Sequence, residues 1–369
     1  MRFISFFADK SEYSTRPKKK FMFRLTFLGT SSGIPTKNRN VSALALESLA
    51  KDAQAKSAPW LLIDCGEGTQ HQLLKSPLSL ANLTAICITH VHGDHCYGLV
   101  GLLSSMAMHA RTKPLTLIAP KAIAVLLDTF AKTTEFRVNY PIEFIAIEDV
   151  LADSGYFTLS LSSEHQLHIQ IIPLSHRTPS YAFAITQTLY KRKLDTTKLT
   201  ALGIDNRQWG QIFKAENPDV PLSLGEISII PSQFVHEQYH KLKIVIAGDN
   251  DSPKLLTQAC ENATALVHEA THLHAQRQKQ LERPVEQGGF DPQHSSSLMT
   301  AQFAHDAKLP ALILTHFSAK YVLHEDVTDP TPNMGHIRAE AQSVYQGQLI
   351  LAQDFMRILL ACDECTILQ

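Results

Sequence analysis

The stretch Thr89-His90-Val91-His92-Gly93-Asp94-His95 places four side chains able to ligate a metal, His90, His92, Asp94 and His95, within six positions. It follows the apolar run Leu83–Ile88, which reads as a buried strand. A strand end holds ligands rigidly, and the loop beyond turns several of them toward one point. Imidazole and carboxylate together suit Zn²⁺, or Mn²⁺ where oxygen ligands dominate. So dense a set points to two metals, and two ions about 3.5–4 Å apart can clamp a phosphodiester or similar ester for hydrolysis. The bland alternative is a surface histidine cluster without metal. Asp94 among the histidines, and Gly93 as a residue that permits a tight turn, weigh against it.

Working outward, later strands end in the same chemistry. His176 follows Ile171–Ser175, Asp249 follows Lys243–Gly248, and His316 follows Ala311–Thr315. Each alone reads as an ordinary loop residue. With the opening cluster they make a full two-metal set. His268-Glu269-Ala270-Thr271-His272 also spells HExxH, which on a helix binds one zinc in metalloproteases. Here it follows the apolar Ala265–Val267, so His268 falls at a strand end and the helical geometry fails; His268 and His272 read as structural or supporting residues.

The chain has 369 residues and 44% hydrophobic content, ample for a large core. Lys plus Arg (34) balances Asp plus Glu (35), so a globally basic nucleic-acid binder is not indicated and any basic surface must be local. The 18 histidines fit metal chemistry. The six cysteines follow no framework spacing: Cys65, Cys87 and Cys96 read as buried thiols, and Cys362 with Cys365 as a lone CxxC in a plain tail. This usage suggests a reducing cytoplasm. The apolar run Phe3–Phe7 is too short for a signal-peptide core, and no stretch approaches the 18 or so apolar residues of a membrane span.

Residues 1–20 read as a flexible extension ending in Arg16-Pro17-Lys18-Lys19-Lys20, and Met22 offers an alternative start. Residues 21–369 read as one layered α/β domain. Strands are expected at Phe21–Leu28, Val41–Leu46, Trp60–Ile63, Leu83–Ile88, Leu115–Ala119, Phe157–Leu161, His168–Pro173, Tyr181–Thr186, Lys243–Ala247, Ala265–His268 and Ala311–Thr315. Helices are expected at Tyr97–His109, Ala122–Thr133 and Ser296–Ala307. An excursion from about residue 188 to 232 breaks the pattern, with basic Lys191-Arg192-Lys193, a short helix capped by Asp195, and Trp209 beyond it. It reads either as a surface cap or as an arm that grips substrate.

At this point the chain resembles the ribonuclease Z family, the tRNA 3′-end processing endonucleases of the metallo-β-lactamase superfamily. The matching segments run in family order: FLGTSSGIPTKNRN, LLIDCGEGTQ, ITHVHGDH, PLSHRTPSYAF, AGDNDSP, LVHEATH, HSSSLMTAQFA, LILTHFSAKY and AQDFM, from about residue 22 to 357. The resemblance implies a four-layer αββα metallo-β-lactamase sandwich with an inserted arm. It carries His90, His92 and His176 onto a first divalent metal and Asp94, His95 and His316 onto a second, with Asp249 bridging. Zinc is the expected ion, with manganese or iron as alternatives. Asp94 would also orient or deprotonate the attacking water, and Glu269 with His294 would protonate the leaving 3′-oxygen. Thr30, Ser31, Lys37, Arg39 and Asn40 would line the substrate mouth, and Lys191, Arg192 and Lys193 would contact substrate from the arm. A precursor tRNA is the implied substrate and a homodimer the implied assembly, the arm of one subunit serving the other's site.

Two features depart from the family's pattern. The arm lacks a Gly-Pro tip, and Asn250-Asp251 stands where the family carries Thr-Arg, adding negative charge near the site. These leave open a related hydrolase acting on a small phosphodiester or other ester. A non-catalytic scaffold would have lost ligands, whereas all seven positions here hold His or Asp.

Overall fold

The computed structural model describes residues 22–49, 58–162, 165–225, 227–284, 286, 291, 293–361 and 364–368. The expected extension at 1–20, Phe21 and Cys362 lie outside the described residues.

Two sheets face each other. The first orders its strands 364–368, 357–361, 22–29, 43–49, 60–63, 83–87, 115–119 and 142–146; the second orders 348–351, 311–315, 265–269, 235–247, 180–194, 165–174 and 156–162. Phe23, Leu25 and Phe27 from one and Phe183, Ile244 and Ile313 from the other fill the space between them. On its outer face the first sheet packs Leu62, Ile86 and Leu117 against Leu99, Leu102 and Leu103 of helix Leu99–Met108. The second packs Val245, Leu266 and Leu312 against Ala301 and Ala304 of helix Ser297–Asp306 and Ile337 of helix Met334–Gln342. The result is a four-layer αββα sandwich. Strand Met22–Gly29 alternates in sequence yet is buried throughout, because the sheet's far face is covered too. Its Arg24 survives burial by pairing across the strand with Glu47.

Two strands run far beyond their expected bounds. The strand expected at Tyr181–Thr186 runs over Ser180–Leu194, and that at Lys243–Ala247 over Val235–Ala247. They pair continuously from Ala182↔Ala247 to Leu194↔Val235. The neighbouring strand stops pairing at Leu189↔His165, so the rest is a two-stranded ribbon. Beyond it, Leu199, Ile204, Ile212, Leu224, Ile229 and Phe234 form a small core of their own. The excursion is therefore a ribbon carrying a knob. Asp195 caps the helix Thr196–Ala201 as expected, accepting from the Lys198 amide. The plain tail expected around Cys365 is instead an edge hairpin, Arg357–Ala361 with Glu364–Leu368.

One buried polar cluster tests the fold away from the site. His165 is buried between the sheets, and its Nε2 lies 2.8 Å from Ser48 Oγ and 3.1 Å from Gln187 Nε2. The Gln187 amide can only donate, so this nitrogen is unprotonated. Burial lowers the His165 pKa below its ordinary value. The unfolded chain then binds a proton that the folded chain refuses, so stability falls as pH drops through the ordinary histidine range. Melting curves of His165→Leu should show a smaller loss of Tm between pH 7 and pH 5 than the parent; an equal loss would mean His165 contributes nothing to acid sensitivity.

Candidate metal centre

Parallel pairing sets Ala265 beside Ile244 and Ala311, and Glu269 beside Thr315. Asp249, Glu269 and His316 therefore emerge at the same carboxyl edge, where ligands bind in open α/β sheets. His176 arrives from the turn between 165–174 and 180–194, and His90, His92, Asp94 and His95 from the facing sheet. His316 holds a left-handed backbone (φ 57°), which aims its ring back over the strand ends.

Two donor groups result. His90 Nε2 and His176 Nε2 each lie 3.2 Å from His92 Nδ1, and Asp249 Oδ2 lies 3.6 and 3.7 Å from the first two. His95 Nε2 and His316 Nε2 are 3.2 Å apart, each 3.3 Å from Asp249 Oδ1, with Asp94 Oδ2 3.6 and 3.3 Å away. Donors about 2.0–2.1 Å from one tetrahedral Zn²⁺ would stand roughly 3.3–3.4 Å apart, so both groups are spaced to hold a cation. Asp249 gives one oxygen to each.

The supporting bonds select the right lone pairs. His90 Nδ1 lies 3.0 Å from Thr89 Oγ, whose hydroxyl donates to Asp64 at 2.9 Å. His95 Nδ1 donates to Asp64 Oδ2 at 2.7 Å, His176 Nδ1 to the Gln293 carbonyl at 2.8 Å, and His316 Nδ1 to Thr271 Oγ at 2.9 Å. With each Nδ1 committed, four Nε2 lone pairs are left facing the donor groups, the arrangement a metal ligand requires. Asp64 is the hub of this support and was not singled out from the sequence. It sits in a left-handed turn (φ 61°), and its partners lie 25 and 31 residues away. Burial drives the His90 pKa well below its ordinary value, aided by His95. Burial alone would raise the Asp249 pKa, but His316, His95, His294 and His90 hold it well below the carboxylate range. Such a concentration of imidazole around ionised carboxylate is a site for positive charge.

Beside the second group, His294 Nδ1 lies 2.9 Å from Glu269 Oε2. Glu269 also accepts from the Asn250 amide (2.7 Å) and the Thr271 hydroxyl, so its carboxylate cannot swing away. Burial would lower the His294 pKa, but Glu269 and Asp249 outweigh it and raise it to about 9. His268 is fully buried on strand Ala265–Glu269, its Nδ1 on the Glu269 carbonyl and its Nε2 facing the Asn250 amide group. His272 lies outside any helix, so HExxH here is not a helical zinc motif.

The expected substrate residues divide. Lys37 is exposed on the loop. Thr30, Ser31 and Arg39 are buried and turned inward, a correction to their expected place at the mouth. Thr30 Oγ donates to Asp354, Ser31 Oγ to the Ile34 carbonyl, and Arg39 lies over the Phe317 ring and bonds the Tyr321 carbonyl. Asn40 is half-buried, its side-chain amide donating to the Glu67 carbonyl. Polar side chains in this loop brace it against the body. Lys193 is exposed on the arm ribbon, and Lys191 and Arg192 lie in the same strand. Gly93 opens a short helix, Gly93–Cys96, rather than a tight turn; a Cβ there would come within 2.4 Å of the exposed Tyr97 ring, which would have to swing aside. A cleft of about 370 Å³ opens over the centre, lined by His92, Asp94, Asp249 and His294 and, at its mouth, by Tyr97 and Arg177, neither of which the sequence reading singled out.

A ribonuclease Z from Marinobacter nauticus is 40% identical over 331 residues, covering 89% of this chain and 94% of that protein. Another from Pseudomonas putida is 39% identical over 346 residues, covering 92% and 98%. The chain belongs to the ribonuclease Z family. Residues 23–245 also match the family model described as Anti-Pycsar protein Apyc1, and over that stretch the chain belongs to that family as well. Among solved structures, the short form of human tRNase Z (ELAC1) aligns with a TM-score of 0.54 at 24% identity, covering 91% of this chain and 98% of that one. The metallo-beta-lactamase fold protein YhfI from Bacillus subtilis aligns with a TM-score of 0.56 at 17% identity, covering 92% and 100%. These two likenesses establish the metallo-β-lactamase fold, and the ribonuclease Z family implies divalent metal ions. Among the described residues, no helix is long and apolar enough to cross a membrane.

Proposed function

We propose that the chain is a metal-dependent endoribonuclease that removes the 3′ trailer from tRNA precursors. The observation that carries this reading is two donor groups sharing Asp249, with the Glu269–His294 pair beside them, in a chain 40% identical to a ribonuclease Z. His90, His92 and His176 would hold one cation and Asp94, His95 and His316 the other, with Asp249 within reach of both. Zinc is the ion this nitrogen-rich set suits, ahead of manganese or iron. When bound, the two cations supply Lewis acidity toward the attacking water and the phosphoryl oxygens.

The protein's own groups do the rest. Asp94 orients the water and accepts its hydrogen bond. His294, held by Glu269 through Nδ1, has Nε2 left to protonate the departing 3′-oxygen. Arg177 and Tyr97 offer a cation and an aromatic face to the phosphate and base next to the scissile bond, with Lys37 on the adjoining loop. The arm, through Lys191, Arg192 and Lys193, holds the body of the RNA away from the centre. The active assembly is a homodimer in which each arm serves its partner's site, working in the cytoplasm.

The experiment is a cleavage assay of metal-loaded protein on a precursor tRNA and on bis(p-nitrophenyl) phosphate, repeated after excising the knob. The ribbon dictates the cut: the knob goes together with the ribbon residues that include Lys191–Lys193, residues 190–239 being replaced by Asn-Gly between the paired Leu189 and His240. The shortened protein should hydrolyse the small diester at the parent rate, while its KM for precursor rises at least about tenfold through lost phosphate contacts. Hydrolysis of the diester with precursor left uncut by the parent would sink the RNA reading and favour a hydrolase of small phosphodiesters.

A further inference from the structure

The Asp354 carboxylate lies across the base of the loop between Thr30 and Asn40. Its Oδ1 accepts from Thr30 Oγ at 2.8 Å, and its Oδ2 from the Asn40 amide at 2.7 Å and Gln72 Nε2 at 2.9 Å. One side chain thus ties both stems of the loop to each other and to helix Thr69–Leu74. The stems are closed further by Thr30 and Ser31 amides on the Asn40 carbonyl, and the Phe317 amide, next to His316, donates to the Thr30 carbonyl at 2.9 Å. At the loop's apex the Gly33 amide donates to Asp94 Oδ2 at 2.7 Å. Gly33 reaches this geometry with φ +71°, a conformation that L side chains rarely adopt.

Asp94 therefore takes part of its orientation from a backbone amide on a loop that would otherwise be free at its tip. That amide is only as well placed as the loop's base. Asp354 fixes the base with three hydrogen bonds while touching none of the metal-facing residues. We propose that Asp354 is a positioning residue for phosphodiester hydrolysis, acting through the Thr30–Asn40 loop and the Gly33 amide to hold Asp94 in its ligating orientation. This rests on the proposed role of Asp94 at the second cation.

The test compares Asp354→Ala with the parent on bis(p-nitrophenyl) phosphate and precursor tRNA, together with the rate of zinc loss to a chelator. Alanine removes all three acceptor contacts, so the loop's base opens. Supporting residues of this kind are worth about 10- to 100-fold, and kcat should fall by that factor on both substrates, with KM for the small diester within about twofold and faster zinc loss. Thr30→Val, which removes one of the three donors, should move kcat and zinc retention less and in the same direction; it decides the matter if Asp354→Ala does not fold. Parent-like kcat and zinc retention would overturn the inference, as would a defect confined to KM for RNA. If the parent cuts neither substrate, the proposed activity has failed, and the zinc comparison still decides the role of Asp354.

Discussion

Asp94→Ala should abolish hydrolysis of both precursor tRNA and small diesters, by about 10³-fold or more in kcat, while leaving the fold intact. Three contacts converge on this carboxylate. Its Oδ2 accepts from the Gly33 amide and lies 3.3 Å from His316 Nε2 and 3.6 Å from His95 Nε2. Burial would raise its pKa, but His316 and His95 pull it below the usual carboxylate range, so it is ionised at any working pH. So acidic a group is a weak base. Its contribution is to complete the second donor group and to fix the direction of the water's hydrogen bond. Asp94→Asn keeps the shape but loses the charge, and should fail nearly as completely. Circular dichroism and Tm should stay close to the parent, because the side chain supports no part of the apolar core. Metal analysis separates the two contributions: loss of one equivalent per chain marks ligation, whereas full occupancy with lost kcat marks orientation. A variant with near-parental kcat and full metal would remove Asp94 from both roles.

The sequence made the centre legible where ligands sit next to strong strand signals. Leu83–Ile88 is apolar but for Thr84 because its strand is covered on both faces, and four candidate ligands follow at once. His176, Asp249 and His316 are equally visible as the ends of apolar runs, and adjacent strands in register bring them together. The ribbon's length was hidden for the opposite reason. Beyond Leu189 the strand pairs with one neighbour and leaves the sheet, so the apolar run that marks Tyr181–Ile185 gives no sign of its length. Thr30, Ser31 and Arg39 are expected at the mouth on the family resemblance alone, and nothing in their own loop sequence contradicts that place. Their burial is decided by partners such as Asp354 and Tyr321, some 280 to 320 residues away in sequence, which no local pattern reveals. Asp64 was missed likewise, since a lone aspartate after a strand says nothing about which histidine it will hold.

His294→Ala should separate RNA from small diesters. The leaving 3′-oxygen of an RNA is an alkoxide that needs a proton as the bond breaks; p-nitrophenolate needs none. Loss of a positioned general acid costs about 10²–10⁴-fold, so kcat on precursor should fall by that range, while kcat on bis(p-nitrophenyl) phosphate changes by less than about threefold. Glu269→Gln gives the same result through pH. The carboxylates of Glu269 and Asp249 raise the His294 pKa to about 9 against the effect of burial, which keeps the ring protonated in the neutral range. Cations beside Asp249 neutralise part of that field, so the alkaline limb of the precursor pH–rate profile should fall below that value. Removing the Glu269 charge lowers the His294 pKa further, and the protonated fraction at pH 8 drops. The limb must therefore move to lower pH in Glu269→Gln, for precursor and not for the small diester, whose leaving group takes no proton. A limb that stays in place, or equal losses of kcat on both substrates in His294→Ala, would mean that this pair stabilises the centre and does not deliver the proton.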